Sequence, residues 1–323
     1  MIDRRKFLLA SVALAGAAAA RAQGKTVRIG ILVPTTQSGW ASRIEAFRAG
    51  MRDAGYVEGR NLVLEIRAVD NRYQELPTMA SELAQLKVDV IVTAGTPGTG
   101  AAKKATGSIP IVMAAISDPV ATGLVQSLAR PGGNITGLMF FVEELNTKRL
   151  ELLREAVPRL TRVAAMMNAD NASMVPVEKA MATAAPRLQL EMRRFNVRRP
   201  EDFASSFNAI SAWGAGALTI VEDTMLNVNA AALGAIATAR GLPSIGLDEV
   251  ALGGGLIAYG VNQHAMFRRA ALYVDRLLKG AKPADLAIER STNFEFVINL
   301  SAARALGLSI SQAMLLRADR VIR

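Results

Sequence analysis

The chain has 323 residues, 51% of them apolar but only 5% aromatic, with one histidine, no cysteine and a formal net charge of +10. The cysteine count excludes disulfides, thiolate catalysis, cysteine-ligated metal and a lipid-bearing cysteine anchor; the histidine count removes histidine metal clusters, cysteine–histidine pairs and, on this reading, serine–histidine catalysis. A chain of this length exceeds what one core usually serves, so two lobes are expected.

The chain opens on Asp3-Arg4-Arg5-Lys6-Phe7-Leu8-Leu9, an apolar run from Phe7 to Ala20 and a small-x-small site at Ala20-Arg21-Ala22. That order is expected of an export signal over residues 1–22, cleaved near Ala22, and the paired arginines fit the twin-arginine route. The run is too short and alanine-rich for a membrane span, which takes about 20 strongly apolar residues. Without Arg4, Arg5, Lys6, Arg21 and Asp3 the remainder carries about +7. Its basic residues (Arg43, Arg48, Arg52; Lys103, Lys104; Arg268, Arg269) are scattered with little aromatic interleaving, so no nucleic-acid surface is expected.

Strands then alternate with helices. Val27–Val33 is a buried-type strand; Trp40, Ile44, Phe47 and Met51 recur at helical spacing, and Gly55 closes that helix. Strands follow at Leu62–Val69, Val88–Thr93, Ile109–Ala114 and Asn134–Leu138, with helices marked by Leu76, Met79, Leu83 and Leu86, and by Ala101–Lys104. The pattern restarts with a helix over Lys148–Val157. Strands at Arg162–Met167 and Leu188–Phe195 flank a helix over Val177–Ala185, and Pro200 opens a helix carrying Phe203, Phe207 and Ile210. Further strands are expected at Ala217–Val221, Pro243–Gly246 and Leu256–Tyr259. Two successive arrays of this kind imply an α/β protein with two doubly wound open-sheet lobes joined by a multi-strand hinge. The expected division is 23–138 plus about 262–290 for lobe 1, and 139–261 plus about 291–323 for lobe 2. Ala265–Leu278 and the last 30 residues lie beyond the second array, free to return and brace the hinge.

Catalytic signatures of this architecture are missing. There is no Gly-x-Ser-x-Gly elbow and no phosphate loop: Gly95-Thr96-Pro97-Gly98-Thr99-Gly100 has Ala101 where a lysine is needed. Gly214-Ala215-Gly216 precedes its strand, so it is no dinucleotide fingerprint, and His264 reads as a capping or surface residue. No metal and no cofactor are expected; a carboxylate-dependent enzyme stays as an alternative.

Open α/β sheets bind ligands at the carboxyl ends of their strands. At Ala94-Gly95-Thr96-Pro97, free backbone N–H groups and the Thr96 hydroxyl suit a carboxylate, although Thr96 also reads as a helix cap. Asp118 either accepts an ammonium group or caps Val120 onward. Thr36 and Gln37 follow the first strand with the polarity to reach a ligand. Asn168, Asp223 and Tyr259 end strands of the second array; Asp223 is the better second carboxylate, and Glu222 reads as pointing away. Phe140, like Phe141, sits at the crossover, where it either stacks on an apolar ligand or serves the core or hinge.

Several stretches resemble a family of bacterial ABC-transporter substrate-binding proteins: Gly55-Tyr56-Val57-Glu58-Gly59-Arg60-Asn61, Leu86-Lys87-Val88-Asp89-Val90-Ile91-Val92, Ala94-Gly95-Thr96-Pro97 and, most specifically, Leu128-Ala129-Arg130-Pro131-Gly132-Gly133-Asn134-Ile135-Thr136-Gly137. Lys148–Leu153, Tyr273–Leu286 and Phe296–Leu300 match as well, so the resemblance spans nearly all of residues 26–323. Val261 departs from it, standing where relatives often carry proline. The resemblance implies a type I periplasmic binding fold, hinge closure on a small ligand, and an ABC permease of the inner membrane as partner. Some relatives are similar to tryptophan-, tyrosine- or phenylalanine-binding proteins, which implies an amino acid, aromatic in side chain. A free periplasmic monomer is expected. The alternative is a periplasmic ligand-sensing subunit for a membrane kinase; a sugar-binding transcription regulator would need an N-terminal helix-turn-helix where the export signal stands.

Overall fold

A computed structural model describes residues 26–323, so the export segment read in residues 1–22 lies outside the described residues. The first array comprises β1 (Val27–Val33), α1 (Gln37–Asp53), β2 (Leu62–Ala68), α2 (Leu76–Gln85), β3 (Val90–Thr93), α3 (Gly95–Ala105), β4 (Ile111–Ile116) and β5 (Ile135–Met139). The second begins with α4 (Val142–Ala156), β6 (Arg162–Asn168), α5 (Met174–Ala184), β7 (Glu191–Val197), α6 (Phe203–Trp213) and β8 (Ala217–Ile220). It continues through α7 (Thr224–Val228), α8 (Ala230–Ala239), β9 (Ser244–Gly246), α9 (Asp248–Leu252) and β10 (Ile257–Val261). After it come α10 (Gln263–Leu278), β11 (Glu289–Arg290), β12 (Phe294–Asn299), α11 (Leu300–Ala305), α12 (Gln312–Arg317) and β13 (Arg320–Ile322).

These strands build two sheets, ordered β11-β5-β4-β3-β1-β2 and β13-β12-β10-β9-β8-β6-β7. Pairing is parallel except between β10 and β12. Parallel strands with helices on both faces are buried on both sides, which is why β4 reads as a continuous apolar run and β3 and β8 are buried along their whole length. Within each array the spatial order is second, first, third, fourth, fifth strand, so chain direction across the sheet reverses between β1 and β3 in one lobe and between β6 and β8 in the other. Such switch points open a crevice at the strands' carboxyl ends. This is the type I periplasmic binding fold.

The chain passes between the sheets three times: from β5 into α4, from β10 into α10, and from β11 into β12. Helix α10 returns to the first lobe and lies against α1. A Cβ added at Gly50 of α1 would stand 2.4 Å from the Arg268 carbonyl oxygen, so only glycine allows this approach. Trp40 meets Phe267 edge-on across the same contact, with ring centroids 5.2 Å apart.

Helix α3 begins at Gly95 rather than near Ala101, which places Gly95, Thr96 and Pro97 inside its first turn. Among the described residues no helix is long and apolar enough to cross a membrane.

Candidate functional site

The two switch points face each other across a cleft lined by residues of both lobes. Trp40, Phe140 and Phe267, with Ala115, Ile116, Val142 and Val228, supply an apolar wall. Thr96, Ser117, Asn227, Gln263, Glu222 and Asp223 supply the polar groups.

On the lobe 1 side, α3 starts without a side-chain cap, because the residue before Gly95 is Ala94. The first N–H groups of a helix have no intrahelical partner, and Pro97 has no N–H at all. Gly95 and Thr96, at the positive end of the helix, bring two such N–H groups to the lining of the cleft. The Thr96 hydroxyl oxygen is buried beside them without a protein partner. Such a corner can accept an anionic oxygen.

Two carboxylates come from the turn after β8. Glu222, 5% exposed, lies against Arg149, which is fully buried on α4. The Asn146 amide donates to Glu222 at 2.7 Å, and Arg149 also donates to the carbonyls of Tyr259 (2.8 Å) and Ile220 (3.1 Å). Burial pulls the Arg149 guanidinium below its ordinary range and the Glu222 charge pulls it back. Glu222 is thus neutralised from behind while it faces the cleft.

Asp223 caps α7 by accepting from the Met225 N–H at 2.9 Å. It also accepts from the side-chain amides of Asn168 (3.0 Å) and Asn171 (2.9 Å) and from the Tyr73 hydroxyl (3.1 Å). Burial raises its carboxyl above the usual range; those four donors oppose the shift. No cationic side chain pairs with Asp223 among the described residues, so it is a charge held by dipoles alone. A ligand cation at this corner would gain from it.

Of the residues singled out in the sequence, Thr96, Phe140 and Asp223 line the cleft. Asn168 stands behind Asp223 as its donor. The others are placed elsewhere. Thr36 caps α1 by accepting from the Gly39 N–H, and Gln37 is exposed in the first turn of that helix. The Asp118 carboxylate caps its own turn, accepting from Val120 and Ala121 N–H, because the chain bends there before β5. Tyr259 stacks on Phe294 within the sheet, with centroids 5.6 Å apart. Glu222 faces the cleft rather than away from it.

A second polar cluster closes the cleft at the hinge side. Arg43 of α1 donates to Gln263 Oε1 (2.8 Å) and reaches Glu249 of α9 in the other lobe (2.6 Å). Burial, then the hydrogen bond and charge of Glu249, push the neighbouring Asp248 carboxyl up to about 7. His264, whose Nε2 lies 3.0 Å from Ser42 Oγ, is pushed down by burial and by Arg43. Asp248 in the folded chain therefore holds its proton up to about pH 7, whereas the unfolded chain releases it near pH 4. Stability from this group is full below the unfolded value and is lost as pH rises toward 7. Melting curves of wild type and Asp248→Asn should diverge across that window, the variant gaining relative stability as pH rises from 4 to 7. Parallel curves would contradict the assignment.

Comparison with known proteins places residues 28–322 on the family model described as ABC transporter substrate binding protein. The chain is similar to a tyrosine-binding protein of Clostridioides difficile (strain R20291), 23% identical over 265 residues that cover 82% of this chain and 76% of the relative. It is similar in fold to an ABC domain in complex with L-Trp from Streptococcus pneumonia: TM-score 0.82, 24% identity, covering 91% of this chain and all of the other. Against the ligand-free, open structure of a substrate binding protein with adhesive properties from Clostridium difficile, the TM-score is 0.64 at 23% identity, covering 92% of this chain and 99% of that one.

Proposed function

This chain belongs to the family of ABC transporter substrate-binding proteins, and on that premise we propose that it is the extracytoplasmic solute receptor of an ABC importer. In this reading the ligand is an amino acid, aromatic or otherwise apolar in its side chain, captured by closure of the two lobes. The observation that carries the reading is the polarity of the cleft. A helix end with a buried unpartnered hydroxyl at Thr96 faces the acidic turn of Glu222 and Asp223, with Trp40, Phe140 and Phe267 between them.

The α-carboxylate would lie on the Gly95 and Thr96 N–H groups and the Thr96 hydroxyl. The ammonium group would meet the spare lone pairs of Glu222, in the negative field of Asp223, whose own acceptor sites are largely filled by protein donors. The side chain would lie on the aromatic wall. Recognition of the common part by few polar groups, with an apolar wall for the rest, is the usual division in small-molecule sites. The L-Trp complex and the tyrosine-binding relative support this ligand class. The higher score against the L-Trp complex than against the open, ligand-free structure supports a closed arrangement of these lobes. The export signal read in residues 1–22 supports a periplasmic location.

The test uses protein beginning at Gln23, unfolded, stripped and refolded, then melted against L-amino acids, sugars and organic acids. Ligand at about 1,000 times its dissociation constant stabilises by roughly 4 kcal/mol, a rise of several degrees. The expected result is a shift with L-tryptophan, L-tyrosine or L-phenylalanine that shrinks in Thr96→Val. A shift with a sugar or organic acid and none with any amino acid would overturn the ligand assignment.

A further inference from the structure

Tyr73 lies outside the cleft, in a 3-10 turn (Tyr73–Glu75) between β2 and α2, on lobe 1. Its ring packs against two apolar clusters at once: one in lobe 1, containing Leu76 and Leu83, and one in lobe 2, containing Met225 and Leu226. Among the described residues it is the one side chain that both clusters share. Its hydroxyl reaches across the lobes to Asp223 Oδ1 (3.1 Å) and Oδ2 (3.2 Å), Thr224 Oγ1 (2.5 Å) and Met225 N (3.3 Å). A phenol has one proton to give and two lone pairs. Here the proton goes to the Asp223 carboxylate, and the lone pairs accept from the Thr224 hydroxyl and the Met225 N–H.

The partners on the far side belong to lobe 2 alone. Asn168, Asn171 and the Met225 N–H hold Asp223 whether or not lobe 1 is near. Of the bonds to Asp223, only that from Tyr73 depends on the two lobes meeting, as the Arg43–Glu249 bond does elsewhere. We propose that Tyr73 is the latch of the closed state, a residue that touches no ligand yet sets how long the lobes stay shut. This rests on the reading that the lobes open and close around a ligand. Opening would strip the buried carboxylate of a charge-assisted donor and draw the ring away from the lobe 2 cluster, so the latch acts on release more than on encounter.

The chain has no cysteine, which makes closure measurable without any ligand. A Cβ built at Gly39 falls 3.0 Å from the Val228 Cβ of the other lobe, inside the roughly 3.5–4.5 Å a disulfide spans, so a parting of about half an ångström brings the pair into bridging range, and the strain this adds is common to the cysteine chains with and without the Tyr73 substitution. In a Gly39→Cys, Val228→Cys chain, the rate of disulfide formation under fixed oxidant follows the closed population. Adding Tyr73→Phe keeps the ring and removes the hydroxyl; a lost hydrogen bond to a charged group corresponds to about a tenfold slower cross-linking rate. With L-tryptophan as probe on the cysteine-free chain, the same variant should release about tenfold faster, with the association rate within about twofold. Cross-linking at the wild-type rate would overturn the latch. If L-tryptophan fails to speed cross-linking with Tyr73 intact, the ligand assignment fails instead, and the ligand-free rates still decide the latch.

Discussion

Arg149→Ala is expected to cost about 3–5 kcal/mol of folding stability, the penalty for stripping one partner from a buried ion pair. The guanidinium is fully buried and joins three elements: the Glu222 carboxylate, the end of β8 at the Ile220 carbonyl, and β10 at the Tyr259 carbonyl. Alanine leaves Glu222 with Asn146 as its remaining side-chain donor and leaves two carbonyls without this partner. Strand β10 runs directly into the crossing that begins α10, so the damage reaches the hinge as well as the cleft. The double variant Arg149→Met, Glu222→Gln should recover much of the loss, because neither charge is then stranded. Denaturant unfolding measures both. A loss below about 1 kcal/mol in Arg149→Ala would mean that Glu222 is relieved by solvent and that the buried pair is not what holds it.

Gly39→Leu is expected to separate folding from capture. Gly39 lies in the first turn of α1 without a left-handed backbone, so a side chain is conformationally allowed and leucine favours the helix by about 1 kcal/mol over glycine. The obstacle is the other lobe: an added Cβ would stand 3.0 Å from Val228 Cβ, and also 2.9 Å from the Thr36 hydroxyl, whose rotation to make room gives up its cap on the Gly39 N–H. The longer side chain would wedge the lobes apart at α7. Ligand-free melting should change little, because the helix gain is offset by the disturbed Thr36 cap, worth about 1 kcal/mol. Affinity for L-tryptophan by calorimetry should fall at least tenfold, since an incomplete closure forfeits contacts made only in the shut form. Unchanged affinity would mean that this contact is not part of the ligand-bound arrangement.

The architecture is legible because parallel strands are buried on both faces: Val27–Val33 lies where its sequence puts it, and the strand expected at Arg162–Met167 runs one residue further, to Asn168. Helix α3 was harder, since glycine and proline fill the turn where a helix signal is sought. Helices α7 and α8 were not read: Ala230–Ala239 is nearly all small and apolar, with no polar face to give a period. In the site, the rule of strand ends reaches Thr96 and Asp223, which follow β3 and β8. It does not reach Tyr73 or Arg43, which arrive from a turn and a helix. Both left a trace in the sequence. Arg43 sits within the apolar stripe of Trp40, Ile44 and Phe47, as Arg149 does among Leu145, Leu152 and Leu153, and a charge in such a stripe announces a buried partner. Tyr73 is a lone aromatic after the polar turn Asp70-Asn71-Arg72. Asp118 illustrates the converse: an aspartate before proline at a strand end satisfies its own turn, and sequence alone does not separate that from a ligand contact.

The measurement closest to the central claim is small-angle X-ray scattering of the stripped protein with and without saturating L-tryptophan. Capture between two closing lobes predicts a smaller radius of gyration in the complex than in the ligand-free protein. Calorimetric binding of L-tryptophan with no change in that radius would contradict it.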